Sequence, residues 1–172
     1  MISPGWLHDH LADADLRIVD VRWYLDGRSG PEAYRRGHIP GAVFCDLDAD
    51  LSGTVEGRGR HPLPERDAFQ EAMRRLGIGG STRVVAYDDQ GGMVAGRLWW
   101  LLRYFGHDAV ALLDGGLQAW GEPLASGDET PAAGDFVAAP PRVEWTLDFE
   151  AVRARTPQTL LLDARAGERF RG

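Results

Sequence analysis

The sequence has no lysine, since all 19 of its basic residues are arginine. This absence removes any Schiff-base or phosphate-binding lysine from the 172 residues. Cysteine is nearly absent too: Cys45 stands alone, so no internal disulfide can form. No stretch reaches the roughly 18 consecutive apolar residues of a membrane helix. The N-terminus also lacks the charged-then-apolar order of a signal peptide. We therefore expect a soluble, cytoplasmic protein without a membrane partner.

Positive charge is scarce relative to negative charge. The formal net charge is −7 at pH 7. This balance argues against a nucleic-acid partner, because proteins that bind nucleic acids present a basic face. Hydrophobic residues make up 44% of the sequence, which is enough to fill a core and argues against disorder.

The sequence contains an internal repeat. An apolar run ends in Asp20 and Arg22, and a second apolar run ends in Asp163 and Arg165, 143 residues later (163 − 20). The same offset relates two further pairs of similar residues, Ser3 with Thr146 and Trp6 with Phe149. A constant offset over several motifs indicates a duplicated unit, and here the period has the length of a domain.

The repeat predicts three regions. We expect a first domain over residues 1–121, a linker over 122–145 that is rich in Pro, Gly, Ala and Ser, and the truncated start of a second copy over 146–172. In the second copy, we expect Thr146 to cap the first helix and residues 160–162 to form a strand.

Apolar runs and helical periodicity alternate through the first 121 residues. Strands are predicted at residues 16–21, 42–44, 84–87 and 110–113. Helices are predicted after Ser3 and over residues 31–36, 67–76 and 93–105, with a short helix between Gly116 and Trp120. This alternation predicts an α/β fold with a mostly parallel sheet that has helices on both faces.

The loop that begins at Asp88 follows the third predicted strand. In open parallel sheets, ligands bind beyond the carboxyl ends of the strands. Gly91 and Gly92 allow backbone N–H groups to converge, and the helix that follows adds its positive end, which suits an anion or a thiolate. Asp88 stands where that thiolate would be. Its carboxylate either fills the anion cradle, which makes the loop non-catalytic, or acts on a substrate directly.

Several segments resemble the signature segments of rhodanese domains. They are Asp20–Arg22, Tyr34–Ala42 and Leu113–Trp120. With Val84–Asp88 and Arg97–Trp100, the chain resembles the first domain of tandem thiosulfate and 3-mercaptopyruvate sulfurtransferases. The resemblance covers about the first 120 residues and resumes over Asp163–Gly172.

The resemblance implies a division of labour between two rhodanese-like domains. The first domain lacks the nucleophile and carries Asp88 in its place, whereas the second carries a cysteine that becomes a persulfide. By the repeat offset, that cysteine lies roughly at position 231, beyond Gly172. The implied reaction moves sulfane sulfur from thiosulfate or 3-mercaptopyruvate to cyanide or a thiol. No metal or organic cofactor is implied, and the 172-residue chain alone is expected to be inactive.

The resemblance also implies three site residues. Arg169 would bind the anionic group of the sulfur donor; the alternative is a solvated arginine at a helix start. Asp48 and His61 match residues that face the inter-domain cleft in mercaptopyruvate-type enzymes. There, His61 could move protons and Asp48 could orient it; the alternative is a pair of solvated loop residues. Cys45 is expected to be a buried structural thiol.

A second functional hypothesis is a non-catalytic rhodanese-like module for binding or regulation. In the enzyme hypothesis, the partners are a small-molecule sulfur donor, a thiol or cyanide acceptor, and the remainder of the second rhodanese domain. A cysteine-bearing loop in that remainder would favour the enzyme.

Overall fold

The computed structural model describes residues 1–55, 59–165 and 167–172. These residues form two compact units, 1–141 and 142–172. Within the described residues, every helix is too short or too polar to cross a membrane.

The first unit is built on a parallel sheet. Its four strands among the described residues are β1 (Leu16–Asp20), β2 (Val43–Phe44), β3 (Arg83–Tyr87) and β4 (Val110–Leu112), arranged in the order β2-β1-β3-β4. All pairings are parallel. The helices are α1 (Pro4–Asp9), α2 (Gly30–Arg36), α3 (Arg66–Arg75) and α4 (Ala95–Tyr104), followed by a 3-10 helix, Gly116–Ala119. The predicted α/β class is confirmed.

The sheet is buried on both faces. Along β3, Val84 and Ala86 pack in the apolar cluster that includes α3 and α4. The alternate residues, Val85 and Tyr87, pack in the opposite cluster with Leu7 of α1. Successive side chains of a strand point to opposite faces, so burial of both faces requires an uninterrupted apolar run. This requirement explains why the strands show no alternation of polar and apolar residues.

A buried polar network joins the carboxyl ends of β1 and β3. The Arg22 guanidinium donates to Asp20 Oδ2 at 2.7 Å and to the Gly37 carbonyl at 2.7 Å. The Tyr87 hydroxyl donates to the same Asp20 oxygen at 2.8 Å and accepts from the Ile39 N–H. Burial alone would lower the pKa of Arg22, but its bonds to Asp20 raise it. Burial raises the pKa of Tyr87, and the Asp20 charge adds to this effect.

The structure differs from the predicted linker at residues 122–145. Residues up to 141 belong to the first unit. Ala125 pairs with His38 as an antiparallel bridge. The backbone N–H of Phe136 donates to the Ile78 carbonyl, and Phe136 is only 2% exposed. Residues 122–141 form no helix and no strand beyond that bridge and pack through isolated residues, so they have no periodicity from which a sequence prediction could start.

The second unit contains a 3-10 helix, Val143–Trp145, and the helices α5 (Phe149–Arg153) and α6 (Gly167–Arg171). The predicted N-cap Thr146 is not the cap of α5. Asp148 takes this place, and its carboxylate accepts from the Ala151 N–H at 2.7 Å. The Thr146 hydroxyl instead donates to the Val143 carbonyl. Aspartate is among the strongest N-cap residues, and Asp148 directly precedes the helix.

The predicted strand at residues 160–162 does not form among the described residues. Leu160 and Leu162 are 79% and 78% exposed. A strand needs a neighbour for its backbone hydrogen bonds, and an isolated apolar run cannot supply one. The adjacent motif nevertheless keeps its local geometry, because Arg165 donates to the Asp163 carboxylate through its backbone N–H and its guanidinium.

We predict that Asp20→Asn lowers the free energy of unfolding by about 3 kcal/mol, because it leaves a buried guanidinium without its counter-charge. Urea denaturation followed by tryptophan fluorescence measures this loss. The matched control is Asp26→Asn, since both Asp26 oxygens likewise accept from the Nε of an arginine two residues on, Arg28, but at an exposed position. The control should leave the urea midpoint unchanged. An equal loss in both variants would contradict the prediction.

Candidate active site

The candidate site lies at the carboxyl edge of the sheet, where the segments that follow β1, β2 and β3 meet. Trp23 follows β1, Asp48 follows β2 and Asp88 follows β3. Because the strands are parallel, residues separated by dozens of positions in the sequence come to one edge. This convergence brings together part of the set of residues that the sequence suggested.

The Asp88 carboxylate occupies a nest of backbone amides. Oδ1 accepts from the N–H groups of Gln90 and Gly92, both at 2.8 Å. Oδ2 accepts from those of Val94 at 2.7 Å and Ala95 at 2.8 Å. Asp88 is fully buried, and the last two donors lie at the start of α4, where the helix dipole favours negative charge. The protein's own carboxylate therefore fills this anion site, which favours the interpretation of a closed, non-catalytic cradle.

Glycines make the nest possible. Gly91 and Gly92 have φ values of 71° and 88°, in the left-handed region that only glycine adopts without strain. Gly116, from the 3-10 helix, approaches so closely that an added Cβ would lie 2.5 Å from the Asp88 carbonyl oxygen. This approach lets the N–H of Leu117 donate to that oxygen at 2.8 Å. The loop is thus held by the bonds to its own Asp88 carboxylate and by the bond from Leu117, in the segment after β4.

Side chains that the sequence analysis did not single out also brace the loop. The Tyr24 hydroxyl donates to Asp89 Oδ2 at 2.7 Å, and the Gln90 amide donates to the Trp23 carbonyl at 2.6 Å. Gln118 donates to the Asp89 carbonyl. Burial, followed by the hydrogen bond to Asp89, raises the pKa of Tyr24 to about 12. The hydroxyl therefore stays protonated and donates throughout the physiological pH range.

The structure brings Asp48 and His61 together. His61 Nε2 lies 3.0 Å from Asp48 Oδ1, and the Trp23 indole N–H donates to Asp48 Oδ2 at 2.9 Å. The Trp23 and His61 rings meet edge to face, with centroids 5.2 Å apart. The guanidinium of Arg60 lies 5.1 Å from the Trp23 ring centroid. The side chain of His61 is 20% exposed and that of Asp48 64%, so the pair lies at the surface.

This geometry defines what the pair can do chemically. With Asp48 accepting from Nε2, the neutral imidazole carries its hydrogen on Nε2 and its lone pair on Nδ1. An oriented imidazole of this kind can accept or donate a proton at Nδ1. Trp23 was missed at the sequence level, although its position directly after the Asp20–Arg22 motif is a signal that could have indicated it.

Cys45 lies in the core. It is fully buried in the cluster that includes α3 and α4. Burial raises its pKa well above the ordinary thiol value, and the Asp50 and Asp46 carboxylates add to the shift. A thiol of this kind is protonated near neutral pH and is a poor nucleophile.

Arg169 lies on α6 in the second unit, exposed to solvent. Its assignment to the anionic group of the donor stays a prediction.

Among residues 1–55, 59–165 and 167–172, no group of three or more His, Cys, Asp or Glu side chains is arranged to hold a metal ion.

Comparison with known proteins agrees with this architecture. Residues 3–123 match the family model of the rhodanese-like domain. Human 3-mercaptopyruvate sulfurtransferase is 39% identical over 188 residues, covering 100% of this chain and 61% of its own length. SseB of Mycobacterium tuberculosis is 44% identical over 161 residues, covering 90% and 57%. The crystal structure of SseA from Escherichia coli superposes with a TM-score of 0.90 at 33% identity, covering 99% of this chain and 67% of that one.

The chain belongs to the rhodanese family. Its relatives in that family include 3-mercaptopyruvate sulfurtransferases and thiosulfate/3-mercaptopyruvate sulfurtransferases, which supports a sulfurtransferase enzyme at the level of the family. The chain spans about three fifths of the length of these two curated relatives, SseB and the human enzyme.

We predict that Asp88→Asn lowers the free energy of unfolding by about 3 kcal/mol, because the new amide group would point two donors at backbone N–H groups and leave them unsatisfied. Thermal or urea denaturation measures the loss. Asp89→Asn is the control: Asp89 Oδ1 is buried without a hydrogen-bond partner among the described residues, so an amide group there displaces no acceptor. A small effect of Asp88→Asn would contradict a carboxylate held by amides.

Proposed function

We propose that the protein is a sulfurtransferase that moves sulfane sulfur from thiosulfate or 3-mercaptopyruvate to cyanide or a thiol. The persulfide forms on a cysteine in a second rhodanese domain, of which residues 146–172 are the start. The cytoplasmic location stays an expectation from the sequence. Support comes from family membership, from relatives named for these two donors, and from the close superposition on SseA.

One observation carries the assignment of roles. In the described rhodanese domain, the Asp88 carboxylate fills the amide nest and the lone cysteine is buried with a raised pKa. This domain therefore offers neither a free anion cradle nor a reactive thiol. If the protein transfers sulfur, the nucleophile belongs elsewhere, and the repeat offset assigns it to the second copy.

The proposed chemistry with thiosulfate needs no proton. The cysteine thiolate attacks the outer sulfur of thiosulfate, a new sulfur–sulfur bond forms, and the donor's own sulfur–sulfur bond breaks as its electron pair leaves with sulfite. Cyanide then attacks the outer sulfur of the persulfide, thiocyanate leaves, and the thiolate is restored. Arg169 would hold the anionic group of the donor through its planar fork of N–H groups.

The chemistry with 3-mercaptopyruvate does need a proton transfer. When the thiolate attacks the donor sulfur, the carbon–sulfur bond breaks and its electron pair stays on carbon as the enolate of pyruvate. The proton of the donor thiol must then reach that carbon. In our proposal, His61 relays this proton while Asp48 orients the imidazole.

The alternative is a non-catalytic rhodanese-like module. The filled nest at Asp88 and the buried thiol of Cys45 fit this function as well, because neither can carry a persulfide. The two proposals differ in whether sulfur is ever bound covalently by the full gene product.

We predict that the 172-residue chain forms no thiocyanate from thiosulfate and cyanide, and that Cys45→Ser changes nothing. The full gene product, incubated with thiosulfate, should gain the mass of one sulfur atom on a cysteine of its second domain, as shown by intact and peptide mass spectrometry. Activity of the 172-residue chain that Cys45→Ser abolishes would overturn the division of roles. A full gene product without any sulfur adduct would support the non-catalytic module.

We predict that in the full gene product His61→Gln lowers kcat with 3-mercaptopyruvate about 100-fold, the ordinary contribution of a positioned acid–base group. The same variant should affect thiosulfate turnover far less, because sulfite departs without a proton. His8→Gln, at a histidine on α1 whose side chain is 57% exposed, is the control. Equal losses with both donors would contradict proton relay by His61.

A further inference from the structure

Arg97, on α4, contacts both halves of the loop that carries the Asp48–His61 pair. Its Nε donates to the Leu51 carbonyl at 2.9 Å. Its terminal nitrogen donates to the carbonyls of His61 at 3.0 Å and Pro62 at 2.9 Å. These three acceptors are backbone oxygens, so the contacts fix the path of the chain rather than the rotamer of a side chain.

The two halves of this loop are tied separately to the guanidinium. Leu51, fully buried, follows the turn that carries Asp48. The hydroxyl of the next residue, Ser52, donates back to the Leu47 carbonyl at 2.8 Å. His61 begins the returning half of the loop. Arg97 therefore binds the backbone near Asp48 and the backbone of His61 to the same helix, α4.

Between the two halves, the Gly53 N–H donates to the Pro62 carbonyl at 3.1 Å. This bond shares its acceptor with Arg97 and lies next to His61. Burial lowers the pKa of Arg97, so the placement of this cation carries a desolvation cost. Arginine remains charged even so, and the carbonyl dipoles offset part of that cost.

We propose that Arg97 is a positioning residue that sets the distance and orientation between Asp48 and His61. This inference rests on the proposed function, in which the pair relays a proton. Proton transfer needs donor and acceptor within hydrogen-bond reach, and a displacement of about 1 Å can cost roughly 100-fold in rate. A planar guanidinium can serve acceptors on two sides at fixed angles, which the single ammonium group of lysine cannot do.

The first test is spectroscopic and needs no activity. In the 172-residue chain, the Trp23 indole N–H signal reports on its hydrogen bond to Asp48 and on the adjacent His61 ring. We expect Arg97→Lys to shift this signal and to raise its hydrogen-exchange rate about tenfold, which corresponds to about 1.4 kcal/mol. Arg103→Lys, on the same helix but bonded to Asp108, is the matched control and should leave the signal in place.

An unchanged Trp23 signal in a folded Arg97→Lys variant would overturn the proposal. Should this variant fail to fold, Arg97→Gln, whose amide can still donate to a carbonyl, replaces it and is judged in the same way. Failure of both variants to fold would assign Arg97 to the stability of the fold alone, and would also overturn the proposal.

The second test is a double-mutant cycle in the full gene product with 3-mercaptopyruvate. If Arg97 acts through the pair, Arg97→Lys lowers kcat in the wild type but has little further effect once Asp48→Asn is present. Additive losses would show that Arg97 acts independently and would overturn the proposal. Failure of the proposed function is distinguishable, because His61→Gln would then leave kcat unchanged while the Trp23 signal still decides whether Arg97 positions the pair.

Discussion

The bonds between the Asp88 carboxylate and the amides of its own loop are the interaction on which the rest of the site depends. Both carboxylate oxygens accept from backbone N–H groups, and the side chain has no exposure to solvent. An amide nest at a helix start is a general anion site, and a fixed internal anion removes it from use by a ligand. The loop becomes a rigid part of the scaffold, and the chemistry that we propose uses groups outside this nest.

The carboxyl edge of the sheet is held by a second interaction, the buried network of Asp20, Arg22 and Tyr87. It joins the ends of β1 and β3, the two strands whose following segments supply Trp23 and Asp88. Breaking a buried ion pair is costly, so this edge tolerates little movement. Side chains from the segments that follow different strands can therefore stay within hydrogen-bond distance of one another at this edge.

Local features of the fold were predictable from the sequence, and long-range ones were less so. Ser3 followed by Pro4 predicted the start of α1, and the Ser3 side chain does accept from the Trp6 N–H. The packing of residues 122–141 and the bonds of Arg97 to Leu51, His61 and Pro62 depend on chain segments that meet only after folding. Asp48 and His61 were identified as candidate site residues only through the resemblance to rhodanese domains, because no periodicity relates two polar residues 13 positions apart.

The Asp48–His61 pair lies at the surface, which raises the question of whether its hydrogen bond serves stability or function. With one side chain 64% exposed, a surface pair of this kind contributes little to stability, typically about 0–1 kcal/mol. Asp26 shows that an exposed aspartate can find its hydrogen-bond donors only two residues away, on Arg28. Asp48 instead engages Trp23 and His61, at separations of 25 and 13 residues. Stability does not account for this ordering of a surface carboxylate, whereas the proton relay that we propose for His61 would, because it needs an imidazole that presents one defined nitrogen.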